Sequence, residues 1–161
     1  PKWSPDGEML STVSAGKARI WNPRTAEVLR EFAQGDDPFP CEWSPDGTML
    51  LTGALVERSL KVAVWDVRTG QQLMSRDYDK YLGGSWSTGN LLLLASENRA
   101  EILDLRAGKS LEVADIKLGY QRPSWQPSGR RVLICGRDRV LRVVDAQSGT
   151  GRGLSRHGCE N

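Results

Sequence analysis

The chain has 161 residues, 22 Lys and Arg against 20 Asp and Glu, a formal net charge of +2 and a hydrophobic fraction of 39%, the composition of a soluble globular protein with room for a real core. No apolar run approaches the ~20 residues of a membrane span, and Leu91–Leu94 is far too short for one. Three distant cysteines, Cys41, Cys135 and Cys159, with no CxxC pair, argue against a disulfide framework and a structural zinc site. A reducing, intracellular setting is the expectation, with Cys41 and Cys135 as small core fillers. No signal peptide is legible after Pro1, but the chain lacks an initiator Met, so this absence carries little weight.

Taken in order, the chain ends a first strand at Trp3 and reverses at Ser4-Pro5-Asp6-Gly7. Proline presets φ near −65° at the second position of a type I turn, and glycine supplies the left-handed conformation that closes it. A strand over Glu8–Ser14, a hairpin at Ala15-Gly16, strands over Ala18–Trp21 and Glu27–Ala33, and a second turn at Asn22–Ala26 complete the unit. The pentapeptide returns as Trp43-Ser44-Pro45-Asp46-Gly47, and in worn form as Trp86-Ser87-Thr88-Gly89-Asn90 and Trp125-Gln126-Pro127-Ser128-Gly129. In the third copy the glycine comes one residue early, so Asn90 is expected in the αL position, which Asn tolerates best after glycine. The tryptophans at 3, 43, 86 and 125 are 40, 43 and 39 residues apart, the period of a repeat architecture.

The second turn recurs in step with the first. Trp21-Asn22 through Ala26 is matched by Trp65-Asp66 through Gly70, Leu103-Asp104 through Gly108 and Val144-Asp145 through Gly149. In each, the Asx oxygen can accept from backbone N–H groups ahead of it, and the last residue takes the unusual φ. Repeat two reads as Pro40–Trp43, Thr48–Leu55, Lys61–Trp65 and Gln71–Tyr78, and repeat three as Gly83–Trp86, Leu91–Ser96, Ala100–Leu103 and Lys109–Leu118. Repeat four reads as Arg122–Trp125, Arg130–Cys135 and Val140–Val144, followed by a polar, glycine-rich stretch from Thr150. No window carries a capped i, i+3, i+4, i+7 pattern, so no helix is expected. The middle strands are apolar on both faces, which means that each small sheet is covered on both sides. The expected fold is all-β, a β-propeller segment of four four-stranded antiparallel blades. The blades fall at about 1–33, 40–78, 83–118 and 122–156, within a propeller region of 1–150, and 151–161 forms the end of the outer strand and a polar tail.

These residues resemble the WD-repeat β-propeller family. The likeness lies in Trp-Ser-Pro-Asp-Gly, an apolar strand, a hairpin, and a strand ending Trp-Asp before Thr-Gly. Trp65-Asp66 is the best match, Trp21-Asn22 is close, and Leu103-Asp104 and Val144-Asp145 keep only the acid. Against the family pattern, the one histidine, His157, follows the propeller strands, and only Asp138 stands at a suitable hairpin position. Arg122 through Gly129 also looks like the repeat of TolB-like propellers, and the whole resembles propellers of some translation-factor and nucleoporin subunits. The resemblance implies a ring of more than four blades, so further blades, in this chain or another, are expected to cover its two apolar end faces.

The sequence offers no catalytic constellation. A Ser–His–Asp triad would need His157 in a polar tail, and there is no metal-ligand spacing and no phosphate loop before a helix. The recurrent aspartates belong to turns and the tryptophans to gaps between blades. No enzyme activity, cofactor, metal, small-molecule ligand or membrane is expected. The resemblance implies partners docking on one rim, where Phe39, Arg58, Tyr81, Tyr120, Arg137 and Arg139 are the candidate contacts, aromatic and arginine side chains being the usual anchors. The leading expectation is a non-catalytic protein–protein interaction scaffold in a multi-subunit assembly, cytoplasmic or nuclear. Residues 1–116 carry 13 basic against 17 acidic side chains, and residues 117–161 carry 9 against 3. RNA or DNA binding through the basic last blade is therefore the alternative. A propeller attached to a hydrolase is the weaker one.

Overall fold

The structure is a computed structural model that describes residues 1–33, 35, 37–56, 59–78, 81–97, 99–113 and 123–155. The described residues form sixteen strands and no helix. They build four antiparallel four-stranded sheets, each wound in simple up-and-down order. Blade 1 holds β1 (Lys2–Trp3), β2 (Leu10–Ser14), β3 (Lys17–Asn22) and β4 (Glu27–Ala33). Blade 2 holds β5 (Asp37–Trp43), β6 (Met49–Val56), β7 (Ser59–Asp66) and β8 (Gln72–Tyr78). Blade 3 holds β9 (Tyr81–Trp86), β10 (Leu92–Ser96), β11 (Ala100–Asp104) and β12 (Lys109–Val113). Blade 4 holds β13 (Ser124–Trp125), β14 (Arg131–Cys135), β15 (Leu141–Asp145) and β16 (Gly151–Ser155). The chain divides into two compact units, Pro1–Asp79 with blades 1 and 2, and Lys80–Asn161 with blades 3 and 4.

The register follows from the first turn. Trp3 faces Leu10, Trp43 faces Leu50, Trp86 faces Leu92 and Trp125 faces Val132. Gly7, Gly47 and Gly129 take φ of +74°, +70° and +70°, and Asn90 takes +62° in the shortened third copy. The serine after the tryptophan does more than its sequence suggests. Ser4, Ser44 and Ser87 are buried, and their hydroxyls accept from Met9, Met49 and Leu91 N–H at 2.9, 2.9 and 3.0 Å, tying each turn across its base. Ser4 and Ser44 also donate to Asp6 and Asp46 Oδ1 at 2.5 and 2.6 Å, which holds the Asp6 carboxyl below its ordinary range.

Two expectations shift. Phe39 and Tyr81, placed in loops by the prolines and charges around them, lie on β5 and β9. Pro38 and Pro40 are accommodated because β5 is an edge strand and slips register between Phe39 and Glu42, so the missing N–H groups disrupt no two-sided ladder. Cys135 is disulfide-bonded, against the reading of the cysteines. Cys41 is a free, buried thiol, and burial pushes its pKa up to about 12.

Each unit contains one blade-to-blade joint, and the two are built alike. In the first, Ala18, Ile20 and Phe32 of blade 1 pack on Cys41, Trp43, Leu50 and Val67 of blade 2. Trp43 Nε1 donates to Ser11 Oγ at 3.0 Å and to the Lys2 carbonyl at 3.3 Å. In the second, Leu93, Ala100, Ile102 and Val113 of blade 3 pack on Val132, Ile134, Val144 and Ala146 of blade 4. Trp125 Nε1 donates to the Ser85 carbonyl at 3.1 Å. Lys2 and Ser85 each precede the inner-strand tryptophan of their own blade, so the acceptor is the same backbone position in both joints. Sheets stacked this way bury both faces, which explains six consecutive buried residues from Met49 to Ala54 in β6 and five in β10.

Candidate interaction surfaces

The second hairpin forms one tip of each blade. In blade 1, Ala15 and Gly16 take φ of +48° and +72°, the two-residue turn whose twist matches its strands. Gly35 N–H donates to the Gly16 carbonyl at 3.4 Å, bringing the connection toward β5 against this hairpin tip. A Cβ on Gly35 would lie 2.9 Å from Val56 Cγ2, so only glycine fits there. Leu55 and Val56 are exposed beside it at 40% and 39%.

In blade 4 the equivalent tip is a polar device. Asp138 Oδ1 accepts from Val140 N–H at 3.1 Å and from Arg142 Nη1 at 2.9 Å, while Asp138 Oδ2 pairs with Arg142 Nη2. This two-pronged clamp holds the Asp138 carboxyl at about 2, and it raises Arg142 in return. The carboxylate that the family pattern would tie to a tryptophan is thus spent on its own hairpin. Arg137 pairs with Glu97 on the neighbouring hairpin tip of blade 3. Arg139 takes φ +59°, is exposed, and makes no side-chain hydrogen bond or ion pair with the described residues.

Of the six expected contacts, Arg137 and Arg139 therefore sit together on one tip, one committed and one unpaired. Phe39 and Tyr81 are placed by backbone alone, and Arg58 and Tyr120 lie outside the described residues. At the other end of each blade the recurrent carboxylates are consumed by turns. Asp66 accepts from Thr69 N–H and Oγ1 at 2.6 and 2.7 Å, Asp104 from Arg106 and Ala107 N–H at 3.1 and 2.9 Å, and Asp145 from Gln147 and Ser148 N–H at 2.9 and 3.0 Å. These bonds hold the Asp66 and Asp145 carboxyls below their ordinary range. Such acceptors are poor candidates for acid–base work, and no group of three His, Cys, Asp or Glu among the described residues is arranged to hold a metal. An open recess of about 560 Å3 on blade 4 is lined by Gln126, Ser128, Arg130, Arg131, Asp145 and Gln147. No described helix is long and apolar enough to cross a membrane.

No protein-family model matches the sequence. Among curated proteins, the chain is 33% identical over 99 residues to protein groucho of Drosophila melanogaster, a match over 59% of this chain and 13% of groucho. It is 27% identical over 132 residues to a subunit of eukaryotic translation initiation factor 3 of Drosophila sechellia, a match over 79% of this chain and 19% of that protein. Both are WD-repeat proteins. The chain is similar to WD-repeat β-propeller proteins. It spans less than a fifth of the length of either WD-repeat relative. Two solved structures share the fold. A dihydro-heme d1 dehydrogenase, NirN, in complex with DHE superposes with a TM-score of 0.71 at 22% identity, over 96% of this chain and 36% of that one. A chain of a mitotic checkpoint complex superposes with a TM-score of 0.64 at 19% identity, over 96% and 48%.

The tryptophans before the second turns keep polar partners. Trp21 Nε1 donates to Thr12 Oγ1 and Trp65 Nε1 to Thr52 Oγ1, both at 2.8 Å. Trp65 also stacks on Phe32 at 4.8 Å between ring centroids. In blades 3 and 4, Leu103 and Val144 stand at the tryptophan positions and are buried at 2% and 0%. The threonines carry a signal in the sequence, since Thr12 and Thr52 fall nine residues after Trp3 and Trp43. The pairing of Arg142 with Asp138 is a local i, i+4 pair that turn signals alone do not reveal.

Proposed function

We propose that this WD-repeat chain is a non-catalytic scaffold that binds other proteins through its hairpin-tip rim, inside a larger intracellular assembly. The observation that carries the reading is the blade 4 tip: Asp138, Arg142 and the Arg137–Glu97 pair brace it while the Arg139 guanidinium is left exposed without a partner among the described residues. A rigid frame that presents an uncommitted arginine is what an interface anchor requires. Phe39, Arg58, Tyr81 and Tyr120 are proposed as further contacts. Two of the proteins it resembles are, by name, a subunit of a translation initiation factor and part of a mitotic checkpoint complex, which supports an assembly role. The test is affinity capture with the full-length protein and its Arg139→Glu variant. Loss of one stable partner with the fold intact is expected, and an unchanged set of partners counts against the rim.

A second reading, RNA or DNA binding by the last blade, has its own support. Arg130, Arg139 and Arg152 of blade 4 are exposed and make no side-chain hydrogen bond or ion pair with the described residues. Phosphate-driven binding weakens steeply with salt. Binding of a single-stranded RNA that is absent at low salt, or unmoved by Arg130→Glu with Arg139→Glu, rejects this reading.

A further inference from the structure

Blade 4 departs from the other blades at the end that carries its two turns. In blade 1 those turns are bridged by an ion pair between Arg24, in the second turn, and Glu8, just after the first. Blades 2 and 3 keep the second-turn arginine as Arg68 and Arg106, two residues after Asp66 and Asp104. Blade 4 has Gln147 at that place, and Arg130 stands where Glu8 stands, five residues after the inner-strand tryptophan. The acid of the bridge has become a cation, and its partner has become an amide.

The first turn has changed as well. Gln126 replaces the serine whose hydroxyl ties the turn in the other three blades. It is exposed and makes no side-chain hydrogen bond with the described residues. The turn is nevertheless braced from blade 3, since Thr88 Oγ1 donates to the Pro127 carbonyl at 3.1 Å. The recess of about 560 Å3 on this blade is lined from both turns, and its charged groups are Arg130 and Arg131 against Asp145. Asp145 Oδ1 already accepts from Gln147 and Ser148 N–H at 2.9 and 3.0 Å. Neither arginine makes a side-chain hydrogen bond or ion pair with the described residues, and Arg131 feels the Asp145 charge only from further off. Two guanidinium groups and two side-chain amides therefore line one cationic recess with their N–H donors unspent.

We propose that this recess binds an acidic segment of a partner protein, with an Asp or Glu carboxylate taking the place that Glu8 fills in blade 1. The carboxylate accepts from the Arg130 and Arg131 guanidinium groups, and the Gln126 and Gln147 amides donate beside it. A carboxylate suits the site better than a nucleic-acid strand. The lining holds no aromatic ring on which a base could stack, and Asp145 would meet a run of phosphates. The site goes beyond the scaffold reading: it lies at the other end of blade 4 from Arg139, so neither stands or falls with the other.

The experiment follows the fluorescence anisotropy of fluorescein-labelled hexaglutamate with the full-length protein at low salt. Binding is expected. Arg130→Gln with Arg131→Gln should weaken it about fivefold or more, and Arg139→Gln should change it by less than about twofold. Arg130→Glu with Gln147→Arg rebuilds the blade 1 bridge within blade 4, so it should abolish hexaglutamate binding and leave Tm unchanged or raised. The absence of binding, equal weakening by Arg139→Gln, or binding that survives the rebuilt bridge overturns the proposal. So does tighter binding of fluorescein-labelled hexauridylate that is lost in the Arg130 and Arg131 variant, which would make the recess a phosphate site.

Discussion

Unit 1 and unit 2 solve the same packing problem with different side chains. In unit 1 both third strands end in tryptophan, each bonded to a threonine of the strand beside it. In unit 2 the same positions hold Leu103 and Val144, buried without a polar contact to satisfy. The turns, by contrast, barely differ. Asn22, Asp66, Asp104 and Asp145 all accept from N–H groups two and three residues on or from the third alone, and Ala26, Gly70, Gly108 and Gly149 all take φ between +57° and +77°. The comparison teaches that the backbone reversals define the blade, while the tryptophan–threonine bond is an addition that hydrocarbon can replace.

The largest effects should come from the joint tryptophans. Trp43 is 9% exposed and bridges two blades through Ser11 and Lys2, so Trp43→Ala should cost about 3–5 kcal/mol in a urea titration of the 161-residue chain. Trp3 holds the same motif position but is 58% exposed, and Trp3→Ala in the same chain should cost within about 0.5 kcal/mol. Equal costs would mean that motif position, not burial, sets the energy.

Next comes the polar addition of unit 1. Thr52 is 1% exposed, and Thr52→Val leaves the Trp65 indole N–H without its acceptor at a cost of about 1–3 kcal/mol. A double-mutant cycle with Trp65→Phe should recover most of that loss, because the donor is then gone as well. A cycle with no coupling would show that the bond contributes nothing beyond packing.

Smaller effects should follow from the one departure among the second turns. Ala26 occupies at φ +57° the position that glycine fills in the other three blades, so Ala26→Gly should stabilise unit 1 by about 0.5–1 kcal/mol. Gly108→Ala, at φ +64° with open space around it, should cost about 1 kcal/mol. Gly149→Ala should cost more, since the added Cβ meets Leu111 as well.

The reversals are the part of the fold most open to sequence reading, because Pro, Asx and Gly impose their conformations within four residues of chain. Asn90 shows how local that information is, since its αL conformation follows from a one-residue shift of Gly89. What escapes is set by distance. Whether Phe39 and Tyr81 lie on strands depends on pairing with Gly53 and Ser96, and prolines near Phe39 point the other way unless the edge position of β5 is known. The candidate rim is half visible. Arg137 and Arg139 fall on one tip by their place in the repeat, but the ion-pair partner of Arg137, Glu97, lies 40 residues away.

The smallest expected effect separates the hairpin tips. Blade 1 turns on the positive φ of Ala15 and Gly16, whereas blade 4 turns on a charged clamp. The folded pKa of Asp138, about 2, lies below the ~3.9 of an unfolded aspartate. Its contribution is therefore present in full above about pH 4, and it declines as the pH falls through the folded value. Arg142→Gln removes the main cause of the shift, so the Asp138 carboxyl midpoint, followed by NMR, should move up toward ~3.9 in that variant. The partial exposure of both side chains makes the stability change small and salt-sensitive. The site-specific midpoint is thus the sharper readout. An unmoved midpoint would mean that the Val140 N–H, not the guanidinium, holds the carboxylate, and that the blade 4 tip, like that of blade 1, is organised by its backbone.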